Sequence, residues 1–197
     1  MGRRFALLLL VLAASVPSAA VAASQNVADL PAGAYALDHK QSSMIAKVMH
    51  LGVSLYTVRF DAFDAAFTYD PARPQAAQVR ASVETGSLDV GADYSRRFAE
   101  EFLAAGRYPT MTFVSSQIVP GEGRTGKMFG ALTLRGVTRP ASFDVTFNGV
   151  GKGLFGGTAT GFSAVTTIKR SDFGSTFLQN IVGDDVRIEI EAEFSRK

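Results

Sequence analysis

From Tyr35 onward, apolar and polar residues exchange places almost one for one. The last stretch is the cleanest: Val186, Ile188, Ile190, Ala192 and Phe194 alternate with Arg187, Glu189, Glu191 and Glu193. A period of two predicts strands with one buried face and one solvated face. The same alternation runs through Met44, Ala46, Val48 and His50, then Phe63, Ala65, Phe67 and Tyr69, then Val79, Ala81, Val83 and Thr85. It returns in Met111, Phe113 and Ser115, in Leu132 and Leu134, in Phe143, Val145 and Phe147, and in Phe162, Ala164, Thr166 and Ile168. Asp61 and Asp64 disturb the phase as a bulge does. Turn residues separate these runs, at Leu51-Gly52, Asp70 to Pro74, Gly121 to Gly126, Gly136 to Pro140 and Gly149 to Gly157.

One segment follows a different period. In DYSRRFAEEFLAAGRYP, Phe98 and Phe102 lie four apart beside Leu103, and Gly106 with Pro109 marks a stop. This spacing predicts a helix of about three turns, with Asp93 as its N-cap. Eight or so half-buried antiparallel strands with a single helix cannot cover their apolar faces by β-α-β packing. The sheet must pack on a second sheet or close on itself, and one clean apolar parity per strand favours a mainly β, eight-stranded antiparallel barrel. Such a barrel is either filled by side chains or hollow enough for one small ligand. The inward parity mixes Ala46, Ala65, Ala81, Ser115, Ala164, Thr166 and Ala192 with Phe63, Phe67, Phe113, Phe143 and Phe162. That mixture is compatible with a solid tapering core and with an apolar bore, and periodicity alone leaves both open.

Composition narrows the setting. A chain of 197 residues with 47% hydrophobic and 19% charged content supports one sizeable core. Residues 1–22 combine Arg3 and Arg4, an apolar run from Phe5 to Val16 and small residues at Ala20-Val21-Ala22, the layout of a secretory signal peptide cleaved after Ala22 or Ala23. The expected organisation is therefore a signal at 1–22, a polar lead-in at 23–33 and a barrel domain at 34–197, in an exported protein of the periplasm. Without Arg3 and Arg4, 18 basic residues balance 18 acidic ones, which gives no electrostatic footprint for nucleic acid. The absence of cysteine removes disulfides and thiolate ligands.

Motifs for chemistry are few. GEGRTG at 121–126 and GKGLFG at 151–156 match a dinucleotide fingerprint in letters, but each leads into a strand pattern and not into a helix N-terminus. The two histidines, His39 and His50, exclude a His-rich metal site, and no residues stand at metal-ligand spacing. Asp184-Asp185 and Glu100-Glu101 are sequence neighbours whose side chains diverge, so neither is a ready acid-base pair. No catalytic residue, metal or cofactor is expected. His50, ending an apolar parity, is expected either as a histidine bonded to a turn carbonyl or as a polar contact at the rim.

The motifs also form an ordered series. It comprises Tyr35-x-x-Asp38, His50-Leu51-Gly52-Val53-Ser54, Arg59-Phe60 with Phe63, Ser87-Leu88-Asp89 and the helix ending in Phe102. It continues with Tyr108-Pro109-x-Met111-Thr112-Phe113, Gly130-x-Leu132-Thr133-Leu134-Arg135-Gly136-Val137-Thr138-Arg139-Pro140 and Lys169-Arg170-Ser171-Asp172-Phe173-Gly174. In order and spacing the series resembles the YceI-like family of bacterial periplasmic proteins over residues 34 to 194. The resemblance implies a lipocalin-like barrel with one or two short helices near its mouth and an apolar tunnel for a polyisoprenoid or isoprenoid-quinone-like lipid. It implies no catalytic residues. Ser95, Arg96, Arg97 and Phe98 depart from the charged run that family members often carry in the helix.

The resulting expectation is a carrier or reservoir for an isoprenoid lipid. Phe60, Phe63, Phe67, Phe113, Leu132, Phe162 and Ile168 line its tunnel, Phe98 and Phe102 close one end, and His50 touches the polar head. The alternative is an enzyme acting on a small apolar substrate in the same cavity through His50. The expected partner is the lipid, with transient contact to a membrane or a membrane redox protein, in a monomer or homodimer.

Overall fold

The alternating runs become eleven strands in a computed structural model that describes residues 23–154 and 156–197; the expected signal at 1–22 lies outside the described residues. The strands are β1 (Gly33–Leu37), β2 (Ser43–His50), β3 (Ser54–Phe60), β4 (Phe63–Tyr69), β5 (Gln78–Glu84), β6 (Leu88–Asp89), β7 (Thr110–Pro120), β8 (Thr125–Leu134), β9 (Val137–Lys152), β10 (Thr158–Lys169) and β11 (Val182–Arg196). One α-helix, α1 (Ser95–Leu103), lies between β6 and β7.

All pairings are antiparallel, and the order β1-β4-β5-β7-β8-β9-β10-β11 returns to β1, closing a barrel of eight strands. The other three strands are continuations. β2 follows β1 along the same edge of β11, β3 pairs with β2, and β6 pairs with β3. Three walls of the barrel are thus built in two pieces, broken at 38–42, at 61–62 and at 85–87. Hydrogen bonds tie the breaks to their neighbours, as buried polar groups require. The Asp38 N–H donates to the Glu193 carbonyl at 2.8 Å, and the fully buried Thr85 gives its hydroxyl to the Tyr108 carbonyl at 2.7 Å. The expected bulge at Asp61 to Asp64 is the second of these breaks.

β7 pairs with β5 but not with β6, so the wall parts near Leu88, and α1 packs there against β6 and the turn at 85–87. Ala99, 1% exposed, marks the close approach. Asp93 is not its N-cap. The helix begins after Tyr94 without a side-chain cap, and Ser95 is occupied in accepting the Val90 N–H and donating to the Ala92 carbonyl. Nor does Gly106 end it, because Ala104 takes the left-handed conformation at φ 52°.

Two expected turns are shorter than their glycines and prolines suggest. The β8–β9 turn is Arg135-Gly136 alone, and Pro140 sits inside β9. Pro140 is tolerated because β10 pairs with β9 only from Asp144 onward, leaving that edge without a ladder to break. Gly149 and Gly151 likewise belong to β9, opposite Gly161 and Ala159 of β10.

The stretch expected as a polar lead-in folds back on the barrel. Ser24 and Val150 exchange backbone hydrogen bonds of 2.8 Å each, and Leu30 is 2% exposed. The barrel therefore has a lead-in end, where residues 27–30 lie, and a helix end, where α1, the β2–β3 turn and the segment from 170 to 181 lie.

Candidate ligand cavity

The inward parity does not fill the barrel. A cavity of about 900 Å³ runs between the two ends, at the upper part of the range for small-molecule sites. Its wall is predominantly apolar. The small residues Ala46, Ala65, Ala81, Ala164 and Ala192 all face it, and they are what keeps opposite walls from meeting. The taper that small and large residues produce here encloses space.

Every residue expected in the site borders this cavity. Phe60, Phe63, Phe67, Phe113, Leu132, Phe162 and Ile168 stand in its wall, Phe98 and Phe102 project from α1 at the helix end, and His50 lies at the end of β2. Residues the parity argument did not single out include Leu30 at the lead-in end and Tyr56, Tyr94, Arg170, Leu178 and Ile181 at the helix end. Tyr56 was accessible to that argument, since it pairs with Val48 across β2 and β3 and shares its face. Arg170, Leu178 and Ile181 lie outside strands, where a period of two carries no information.

The lead-in end is an aromatic floor. Phe67 stacks on Tyr35 at 4.6 Å between centroids and meets Phe194 and Phe162 edge-on at 5.0 and 5.7 Å. Each such pair contributes about 0.5–1.5 kcal/mol beyond its buried area. The Tyr35 hydroxyl donates to the Pro31 carbonyl at 2.7 Å, tying the floor to the lead-in. Burial raises the Tyr35 pKa, so the phenol stays neutral and keeps that bond.

The helix end is aromatic too, but carries polar groups. Phe102 packs edge-on against Phe98 at 5.5 Å and Phe177 at 5.2 Å. Arg170, 5% exposed, lies over the Phe102 ring at 5.6 Å. Its guanidinium donates to the carbonyls of Gly183, Ser175, Phe177 and Val182 at 2.8–2.9 Å. Burial pulls its pKa down and nearby Asp184 acts against that. An arginine remains charged regardless. This side chain therefore gathers the whole segment from 175 to 183 around one cation. Asp184 fixes the other flank by accepting from the backbone N–H and the hydroxyl of Ser171 at 2.9 and 2.8 Å.

His50 is not bonded to a turn carbonyl. Its ring lies beside Tyr56, 6.2 Å between centroids, and among the described residues it has no hydrogen bond or ion pair. The Tyr56 and Tyr94 hydroxyls are 3.5 Å apart. That hydrogen bond first, and burial second, push the Tyr56 pKa up to about 12. The helix end thus offers an imidazole and two phenol hydroxyls to a polar group, and among the described residues no carboxylate is bonded to the imidazole to orient it as a base. No group of three or more metal-ligating side chains occurs among the described residues. His39 lies on the outside, 3.0 Å from the Phe63 carbonyl and 3.8 Å from Asp64.

Comparison with known proteins places this architecture. A family model described as YceI-like domain matches residues 35–194. A UPF0312 protein of Pseudomonas putida is 40% identical over 130 residues, 65% of this chain and 68% of that protein. Among solved structures, Burkholderia cenocepacia BcnA superposes with a TM-score of 0.72 at 27% identity, covering 80% of this chain and 98% of that one. A polyisoprenoid binding domain from Saccharophagus degradans superposes with a TM-score of 0.64 at 15% identity, covering 84% and 99%, a likeness of fold.

Proposed function

The chain belongs to the YceI-like family, and from that premise and the dimensions of its bore we propose that it is a periplasmic carrier or reservoir for a polyisoprenoid or isoprenoid-quinone-like lipid. The observation that carries this reading is the continuous apolar cavity of about 900 Å³, with an aromatic cluster towards one end and His50, Tyr56 and Tyr94 at the other. A long hydrocarbon chain fits such a bore, and each buried methylene contributes about 0.8 kcal/mol before ordering costs. A few polar contacts at one end then suffice to orient the head. The polyisoprenoid binding domain of the same fold supports the class of ligand. The expected secretory signal supports the compartment.

The test is extraction. Protein expressed in a bacterial host with its leader and purified without detergent is extracted with organic solvent, and the extract is analysed by mass spectrometry. An isoprenoid series, with members differing by one five-carbon unit, is the expected result. An extract holding no lipid, together with an unchanged melting temperature when isoprenoids are added, excludes the carrier. A ligand at a hundred times its Kd should raise stability by about 2.7 kcal/mol. Fractionation of the same cells tests the compartment.

A further inference from the structure

The mouth at the helix end is bordered by apolar side chains that the barrel does not bury. Leu51 and Val53, at the tip of the β2–β3 turn, are 60% and 84% exposed, and Leu55 beside them is 58% exposed. Met49, Tyr94, Leu178 and Ile181 are exposed around the same opening. The Leu51 N–H donates to the Ile181 carbonyl at 2.7 Å, which fixes the tip against the segment before β11. Tyr94, Leu178 and Ile181 also border the cavity, so the outer patch runs without a break into the bore.

Two of these residues are held at a cost. Leu51 and Leu178 have φ of 54° and 53°, the left-handed region that glycine or asparagine adopts readily. For a leucine this conformation is sterically disfavoured, because Cβ crowds the neighbouring carbonyl. Neither is compensated by deep burial, so folding alone does not account for leucine at these positions.

The patch has the depth of a lipid interface. Met49 and Leu55 form the outward cross-strand pair nearest the tip, and the next outward pair, Lys47 and Thr57, is polar. Two strand residues advance about 7 Å, comparable with the 5–10 Å to which amphipathic elements settle at a headgroup boundary. Arg96 and Arg97 are exposed on the first turn of α1, next to Tyr94, with Arg97 lying 4.0 Å from Glu101, and their charge is complementary to that of lipid phosphates. A second copy of the chain is a poorer occupant. Stable dimers bury about 800 Å² per partner on matched surfaces, whereas this tip projects, with open space around Gly52.

We infer that this rim is a membrane-docking face, which seats the mouth on an anionic phospholipid surface so that a hydrocarbon chain passes between bilayer and bore without crossing water. The inference rests on the carrier reading, and its test separates the two. Vesicles of phosphatidylethanolamine and phosphatidylglycerol are floated with the protein and with a Leu51→Asn, Val53→Ser, Leu55→Ser variant, none of whose altered residues borders the cavity. The variant should lose vesicle partitioning by about tenfold or more, keep its melting temperature, and take up a water-soluble short-chain quinone as the parent does. Uptake from vesicles should slow in parallel.

Equal flotation of the two proteins, or no flotation of the parent with quinone uptake intact, overturns the docking face and leaves the bore standing. Loss of quinone uptake in both overturns the carrier reading itself. A parent that elutes as a dimer and a variant that elutes as a monomer would make the rim a subunit interface and also overturn docking.

Discussion

Single residues at the helix end show how a loop without regular structure is held rigid beside an apolar opening. Arg170 binds four carbonyls of the segment that follows it, and Asp184 clamps Ser171 at the segment's base. The hydrogen bonds from Ser171, its hydroxyl first and its N–H second, lower the Asp184 pKa below the ordinary carboxylate value. A carboxylate with a depressed folded pKa adds stability that is fully present above its unfolded pKa of about 3.9 and is lost as pH falls through the folded value. Asp184→Asn should therefore lower the melting temperature slightly at neutral pH, the effect being small because the group is solvent-screened. The gap between the two proteins should close on titration toward about pH 2. Melting curves across that range decide it, and a gap that persists unchanged in acid would mean that the carboxylate's charge is irrelevant to the clamp.

At the level of elements, the parts legible in the sequence are those whose burial repeats every two residues. The run Val186 to Phe194 faces inward as alternation requires, and so do Met44, Ala46, Val48 and His50. Legibility fails where one strand gains a residue relative to its neighbour. Between Ser115 and Gln117 the β7–β8 register shifts, so Ile118 and Pro120, not Gln117 and Val119, border the cavity. Asn148 does the same in β9, where the register shifts opposite Gly161 and Phe162. Such a bulge is a property of the pair, and one strand's sequence does not reveal it. The helix was legible from Phe98 and Phe102, its cap was not, and its place over the parted wall depends on β6 failing to reach β7. Because the ring of eight strands closes without α1, the helix should act as a door to the bore. Replacing Phe98 and Phe102 together by Ala should leave a cooperative barrel, weakened by up to about 3 kcal/mol for two half-buried rings. It should also raise the dissociation rate of a bound isoprenoid probe about tenfold, measured by stopped-flow exchange. An unchanged rate would remove α1 from the exit path.

For the whole molecule, the decisive property is empty volume, which hydrophobic patterning does not encode. A filled barrel and a hollow one share the same alternation, and they differ in what a larger side chain does to each. In a filled interior an added ring forces neighbours off their preferred rotamers and costs about 1–3 kcal/mol. In a hollow one it gains contacts and removes void, at about 24 cal/mol per Å³ of cavity filled. Ala164 is suited to the comparison. It lies in β10 opposite Val145 and Ile190, borders the cavity and retains partial exposure toward it. A phenylalanine there occupies roughly 100 Å³ more than alanine, so Ala164→Phe should stabilise the ligand-free barrel by up to about 2 kcal/mol. That is a rise of a few degrees in melting temperature for a domain of this size. The same ring should reduce isoprenoid affinity by an order of magnitude or more by shortening the accessible bore. Calorimetric melting of delipidated protein and titration with the short-chain quinone read the two effects separately. Their opposite signs are the signature of a protein whose stability is limited by the space it keeps for its ligand. A destabilised Ala164→Phe variant with unaltered affinity would mean that the bore is already occupied by the protein itself.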